Sequence, residues 1–206
     1  MDEPTTPNDQ APRRSQVVNW IGVLVIVAVG LVFIKIITSS RETRDGTHPA
    51  IGRKLLALEA APLVGTDKPL SLEDLKGKVT LVNFWTPHCP YCLQELPHLA
   101  RMHHSRADRD DFKLVSIILG GPAETSLSPL REYVAGVLRG RDIEMPVYAD
   151  PNHTSRQALV IATDWQRGTP ATVVLDRHGT IRGVWNGYVA GDEQGMAELV
   201  DALLEE

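Results

Sequence analysis

The 206-residue chain is poor in cysteine, in aromatic residues and in positive charge, and each scarcity excludes a class of protein. Two cysteines cannot form a disulfide framework, and they cannot supply a four-thiolate zinc site. Aromatic residues make up 5% of the chain and the net charge is -5, so it lacks the stacking platform and the basic surface of a nucleic-acid-binding protein. We therefore expect no nucleic-acid partner.

The first 38 residues divide into a polar tail and an apolar stretch. Residues 1–16 are polar and contain proline, so they cannot bury enough surface to offset chain entropy, and we expect disorder. The 20 residues of Ser15–Ile34 carry no charge, which is about the length that a helix needs to cross a bilayer core. Trp20 and Lys35 suit the two membrane interfaces. The sequence therefore predicts a transmembrane helix at residues 17–38.

The main alternative for the apolar stretch is a cleaved signal peptide. A signal peptide has a shorter apolar region followed by a small-x-small cleavage site, and residues 36–40 offer no such pattern. An uncleaved anchor is therefore the better interpretation. Basic residues lie on both sides of the stretch, so flanking charge does not orient it, although large C-terminal domains cross membranes largely regardless of such charge.

After a predicted linker at residues 39–59, predicted strands and helices alternate over residues 60–206. Strands are predicted at Val79–Trp85, Phe112–Leu119, Met145–Tyr148, Ala171–Leu175 and Ile181–Trp185. Helices are predicted at Cys92–His104, around Leu130–Gly140, from Thr154 through Val160, and around Met196–Leu204. This order predicts an α/β fold in which a central mixed sheet carries helices on both faces.

Both cysteines stand where a buried strand gives way to a helix. Cys89 precedes Pro90, which suits a first helical turn, so we expect Cys89 at a helix N-terminus. Unpaired N–H groups and the helix dipole favour thiolate there, and thiolate is the attacking species. Cys92 lies about one turn further on and can attack a mixed disulfide formed by Cys89. The spacing predicts a redox-active pair that performs dithiol/disulfide exchange.

Three other uses of the cysteines fit the sequence less well. A zinc site would recruit the histidines that follow Cys92, but these crowd one helix and lack the spacing of finger sites. A purely structural disulfide would close a very short loop and add little stability. The Thr86-x-x-Cys89 spacing is similar to that of peroxiredoxins, but it leaves Cys92 unexplained.

A second motif, Gly168-Thr169-Pro170, directly precedes the strand that begins at Ala171. A trans proline is ordinary at the first position of a strand. A cis Thr169–Pro170 bond would instead expose the backbone of Thr169 for pairing with an extended substrate, and proline cannot bind stray metal beside the thiols. The residues alone leave both isomers open.

Together, Phe84-Trp85-x3-Cys89-x2-Cys92 and Gly168-Thr169-Pro170 resemble the thioredoxin superfamily over about residues 60–206. More narrowly, the chain is similar to the membrane-anchored TlpA/ResA/CcmG-type thiol-disulfide oxidoreductases, as the Leu72–Lys78 and Glu95–Pro97 segments indicate. The resemblance implies a thioredoxin-like fold and a cis Thr169–Pro170 bond. It implies no cofactor and no metal.

The resemblance also implies a compartment and partners. The C-terminal domain is expected to face the periplasm or another extracytoplasmic space, held at the cytoplasmic (inner) membrane as a single-pass protein by residues 17–38. The expected partners are disulfide-bearing client proteins, with apocytochrome c as the usual client, and an integral-membrane thiol electron donor. Cytochrome c maturation or envelope thiol homeostasis is the corresponding role.

Residue roles follow from the motifs and the resemblance. The predicted catalytic residues are Cys89, Cys92, Pro170 and Glu95. The predicted substrate-binding residues are Trp85, Pro90, Tyr91 and Thr169. Cys89 attacks, Cys92 resolves the mixed disulfide, Pro170 shapes the substrate groove and Glu95 moves or tunes the proton.

Two departures from the thioredoxin pattern affect these expectations. Asn83 stands where thioredoxin carries a buried acid, so Glu95 is the remaining acid close to the motif unless it is a solvated helix residue. The Pro90-Tyr91 pair matches glutaredoxins, which leaves the direction of electron flow open. A thiol oxidase, a disulfide isomerase and a non-catalytic redox-sensing or binding module remain alternatives. His88 either stabilises the Cys89 anion or is an exposed loop histidine.

Overall fold

The computed structural model describes residues 24–30, 48–120, 127–166 and 168–206. The chain divides into two units, Met1–Glu42 and Thr43–Glu206. In the first unit, residues 24–30 form a helical segment, α1. None of the described helices is both long and apolar enough to cross a membrane, and most of the predicted span at 17–38, like the predicted tail at 1–16, lies outside the described residues.

The second unit carries all seven of the strands that the described residues form. The strands are β1 (Glu59–Val64), β2 (Leu70–Ser71), β3 (Val79–Trp85), β4 (Phe112–Ile118), β5 (Val147–Ala149), β6 (Ala171–Leu175) and β7 (Ile181–Asn186). The helices of this unit are α2 (Pro90–His104), α3 (Ser128–Arg139), α4 (Thr154–Thr163) and α5 (Asp192–Glu205), and a single 3-10 turn, Leu72–Leu75, follows β2. The predicted alternation of strands and helices is confirmed.

The strands form one mixed sheet in the order β2-β1-β5-β4-β3-β6-β7. β3 pairs in parallel with β4, and β4 with β5, whereas the remaining neighbours are antiparallel. All seven residues of β3 are buried, which explains why this strand is a nearly continuous run of apolar residues. Because β3, β4 and β5 are parallel, their carboxyl ends meet at one edge, and the loop with Cys89 leaves β3 there.

Helices cover both faces of the sheet, as predicted. One face packs against α2, α3 and α5 in a core that contains Leu96, Val134 and Val200. The other face packs against α4 and the 3-10 turn, in a core that contains Leu159 and Leu75. The two apolar layers hold the carboxyl edge of the parallel strands in place, and that edge carries the candidate site.

Part of the segment predicted as a linker packs against the sheet. Leu55 and Leu58 are almost fully buried. The N–H of Gly52 donates to the carbonyl of Ile181 at 2.9 Å, and the N–H of Ile181 donates to the carbonyl of Arg53 at 2.8 Å. The folded region therefore starts before residue 60, because the short amphipathic run at residues 51–58 buries Leu55 and Leu58 and hydrogen-bonds to β7, whereas Leu56 is exposed.

Candidate active site

Cys89 lies at the amino end of α2, as the following proline predicts. It is the residue before the first helical residue, and its Sγ accepts a hydrogen bond from the N–H of Cys92 at 3.2 Å. The thiol donates in turn to the carbonyl oxygen of Thr169 at 3.1 Å. Backbone N–H groups at a helix N-terminus are arranged to receive an anion. Cys89 is half-buried rather than enclosed in the core.

Cys92 lies one turn into α2 with no exposed surface. Burial, together with the neighbouring thiol of Cys89, raises the pKa of Cys92 to about 12. Both cysteines are free thiols in the structure. The pair is therefore asymmetric, with one accessible sulfur at the helix end and one protonated sulfur behind it.

The Thr169–Pro170 peptide bond is cis, as predicted from the resemblance. Pro170 is buried at the start of β6, whereas Thr169 is half-buried and turns its carbonyl to the sulfur of Cys89. The hydroxyl of Thr169 lies 3.5 Å from the hydroxyl of Thr86, the residue that follows β3. This contact joins the loop before β6 to the loop that carries the cysteines.

Glu95 is completely buried, which excludes the alternative that it is a solvated helix residue. The hydroxyl of Thr172 donates to Oε1 at 2.9 Å, and the amide of Asn83 donates to Oε2 at 2.8 Å. The same amide contacts the hydroxyl of Thr172 at 2.9 Å. Because Asn83 and Thr172 are register partners on β3 and β6, they hold the carboxylate from the sheet side.

The environment of Glu95 shifts the pKa of its carboxyl group upward. Burial raises the pKa of Glu95 to about 7, and the nearby charges of Asp192 and Glu193 act in the same direction. The hydrogen bonds from Thr172 and Asn83 oppose this shift without cancelling it. Glu95 also stands three residues after Cys92, which places both on one side of α2.

A second polar cluster lies beside Glu95 at the start of α5. The Tyr188 hydroxyl donates to Glu193 at 3.0 Å, and His98 lies 3.4 Å from the same carboxylate. Burial, with the hydrogen bond to Glu193, raises the pKa of Tyr188 to about 12. The hydroxyl therefore stays protonated and serves as a donor.

The remaining predicted residues differ in accessibility. Pro90 and Tyr91 are exposed next to Cys89 and can contact a client. Trp85 has no exposed surface, so its side chain supports the loop from the core and cannot touch a client directly. His88 is exposed and stacks on Tyr133 of α3, with ring centroids 5.4 Å apart.

Asn83 and Thr172 are the functional residues whose role the sequence did not indicate. Each is a polar residue inside a largely apolar, fully buried strand, and that interruption is the available signal. Their pairing with Glu95 depends on strand register, which the sequence does not reveal. Among the residues that the structure describes, no group of three or more His, Cys, Asp or Glu side chains could hold a metal ion.

Comparison with known proteins identifies the family. Residues 51–184 match the AhpC/TSA family. The chain is 24% identical over 183 residues to the thiol-disulfide oxidoreductase ResA of Halalkalibacterium halodurans, which covers 89% of this chain and 91% of that protein.

Two solved structures show the same fold. A thiol:disulfide interchange protein of the thioredoxin family from Chlorobium tepidum superposes with a TM-score of 0.56 at 24% identity, covering 79% of this chain and 99% of that one. A secreted disulfide oxidoreductase of Mycobacterium tuberculosis, homologous to E. coli DsbE, superposes with a TM-score of 0.53 at 20% identity, covering 72% and 97%. The chain therefore belongs to the AhpC/TSA family, among its thioredoxin-like thiol-disulfide oxidoreductases.

Proposed function

We propose that this protein reduces disulfide bonds in client proteins by dithiol/disulfide exchange at Cys89 and Cys92. One observation carries the proposal. The sulfur of the half-buried Cys89 lies at a helix N-terminus, 3.2 Å from the N–H of Cys92 and 3.1 Å from the carbonyl of Thr169 beside a cis proline. A client chain whose backbone pairs with Thr169 would bring one sulfur of its disulfide next to Cys89.

The exchange takes two steps. The thiolate of Cys89 attacks one client sulfur, the client disulfide breaks, and the departing client sulfur leaves as a thiolate that takes up a proton. Cys92 then loses its proton and attacks the sulfur of Cys89, which releases the second client thiol. The client gains two electrons and two protons, and the Cys89–Cys92 pair becomes a disulfide.

The second step needs a base, because Cys92 holds its proton with a pKa of about 12. Glu95, with a pKa of about 7 and a place on the same side of α2, is the buried group that accepts this proton. Asn83 and Thr172 hold the carboxylate in place through both steps. Pro170 keeps the backbone of Thr169 open to the client.

The proposal extends to the location of the protein. Residues 17–38 anchor it to the cytoplasmic membrane, and the folded unit faces the extracytoplasmic side. The uncharged stretch Ser15–Ile34 supports the anchor, and the similarity to a secreted mycobacterial oxidoreductase supports the compartment. In that space an integral-membrane thiol donor returns electrons to the pair, and apocytochrome c is a fitting client.

Reduction of insulin with dithiothreitol as electron donor tests the function. The native protein is expected to accelerate it well above background, and C89S is expected to abolish the acceleration. C92S, first reduced and then mixed with insulin without dithiothreitol, is expected to accumulate a covalent adduct at Cys89, because the resolving thiol is missing. Mass spectrometry locates the adduct. A native rate equal to background, or a C92S protein without an adduct at Cys89, would overturn the proposal in favour of a non-catalytic sensing or binding module.

A further inference from the structure

A cavity of about 460 Å³ lies beside the cysteines at the carboxyl edge of the sheet. One wall comes from the loop before β6 and another from α4. The described residues that carry the argument are Thr86, Leu119, Arg156, Val160, Trp165 and Thr169. The cavity is open to solvent, so a side chain of another protein can enter it.

The cavity adjoins the sulfur of Cys89, because one residue, Thr169, both lines the cavity and contacts that sulfur. Thr169 lines it, and the carbonyl of the same residue contacts the Sγ of Cys89 at 3.1 Å. Thr86 also lines the cavity, and its hydroxyl lies 3.5 Å from the hydroxyl of Thr169. A client chain with a half-cystine at Cys89 therefore places a neighbouring side chain over the cavity.

The wall nearest to Thr169 is apolar and held in place. Trp165 is 6% exposed, its ring centroid lies 6.3 Å from that of Phe84, and its Nε1 donates to the carbonyl of Gly168 at 2.9 Å. Leu119 and Val160 complete the apolar surface. This wall is suited to the methylene groups of a client side chain.

The described residues that line the cavity carry charge of one sign. Arg156 is the single charged residue among the described residues that line it. Its backbone N–H donates to Asp150 at 2.8 Å, but no ion pair or hydrogen bond of its guanidinium is found within the described part of the chain. The nearby carboxylate of Asp164 accepts a hydrogen bond from Gln166 at 2.7 Å.

We infer that this cavity binds an acidic client side chain, Asp or Glu, next to the cystine that Cys89 attacks. An arginine whose guanidinium has no partner among the described residues, at the rim of this cavity, pairs well with a carboxylate, whose two oxygens match the guanidinium donors. A client lysine in the cavity would be repelled by the positive charge of Arg156. The inference rests on the proposed function and adds a preference among its clients.

Three synthetic peptides with one internal disulfide test the preference, differing only in Glu, Gln or Lys beside one cysteine. The full-length native protein in nonionic detergent is expected to reduce the Glu peptide about three to ten times faster, in kcat/KM, than the Gln peptide at low salt. The ratio is expected to shrink as salt rises, because a rim-exposed pair is screened. R156Q should bring the ratio near one, and R156E should favour the Lys peptide.

R141Q is the matched control, because Arg141 is exposed in the loop before β5, at the opposite edge of the sheet. The ratio of the Glu-peptide rate to the Gln-peptide rate should stay the same in this variant. Equal rates for the Glu and Gln peptides with native protein would overturn the inference, as would a Glu preference that persists in R156Q. Both results would leave disulfide reduction intact. Failure to reduce any of the three peptides would instead overturn the proposed function, and this inference with it.

Discussion

Glu95 couples the chemistry of the site to pH. Its carboxylate is buried between Thr172 and Asn83, and burial raises its pKa from 4.5 to about 7. The folded protein therefore keeps the proton at pH values where the unfolded chain has lost it. By linkage, the contribution of Glu95 to the free energy of unfolding is fully present below about pH 4.5. It is lost as the pH rises toward 7, because the buried carboxylate then ionises away from water.

Substitution of Glu95 by Gln tests this assignment. E95Q keeps the shape but cannot accept the proton of Cys92, so kcat for disulfide reduction is expected to fall by about 10- to 100-fold, with accumulation of the mixed disulfide. The step in the pH profile near 7 should disappear, and so should the loss of stability between about pH 4.5 and 7 in urea titrations.

E198Q makes the same chemical change on an exposed residue of α5 and should alter neither profile. An E95Q protein with the native pH–rate profile would show that Glu95 has no part in proton transfer.

At the level of elements, α4 has an unusual amino terminus. His153, the residue before the helix, has a φ of 57° and provides no side-chain cap. Asp150, at the end of β5, supplies it instead by accepting from the N–H groups of Ser155 and Arg156 at 3.3 and 2.8 Å. The cap therefore fixes the start of the helix that carries Arg156 to the edge of the sheet.

Removal of this cap should cost stability. D150A leaves two buried or half-buried N–H groups without an acceptor, so the free energy of unfolding is expected to drop by about 1–2 kcal/mol. Urea denaturation measures it as a lower midpoint. D108A, which changes an exposed aspartate in the loop after α2, should leave the midpoint unchanged. An unchanged midpoint in D150A would show that the N–H groups of α4 find other acceptors.

The elements also show what sequence can and cannot predict. The predicted bounds of β3 match the structure because its apolar run is long and ends at a turn. β5 begins at Val147, two residues later than predicted, since Pro146 lacks the N–H that a strand ladder uses. The two cysteines and Pro170 could be assigned from spacing and resemblance. The partners of Glu95 could not, because they depend on the register of β3 with β6.

On the scale of the whole molecule, the two layers of core hold the three parts of the site at one edge of the sheet. β3 leads to the cysteines, the cis proline opens β6, and α4 adds the cationic wall of the cavity. Tyr91 is exposed two residues after Cys89, and Thr169, which lines the cavity, contacts the sulfur of Cys89 through its carbonyl. A proposed anchor at residues 17–38 would keep the protein at the membrane that holds a thiol donor.

The direction of exchange is the central claim, and the reduction potential of the Cys89/Cys92 couple in the full-length protein tests it most directly. Equilibration with thiol–disulfide buffers of known ratio, read by alkylation and mass spectrometry, gives this potential. A pair that donates electrons to client disulfides is expected to have a reducing potential of about −270 mV. A value of about −120 mV would contradict the central claim, because the couple would then oxidise client thiols.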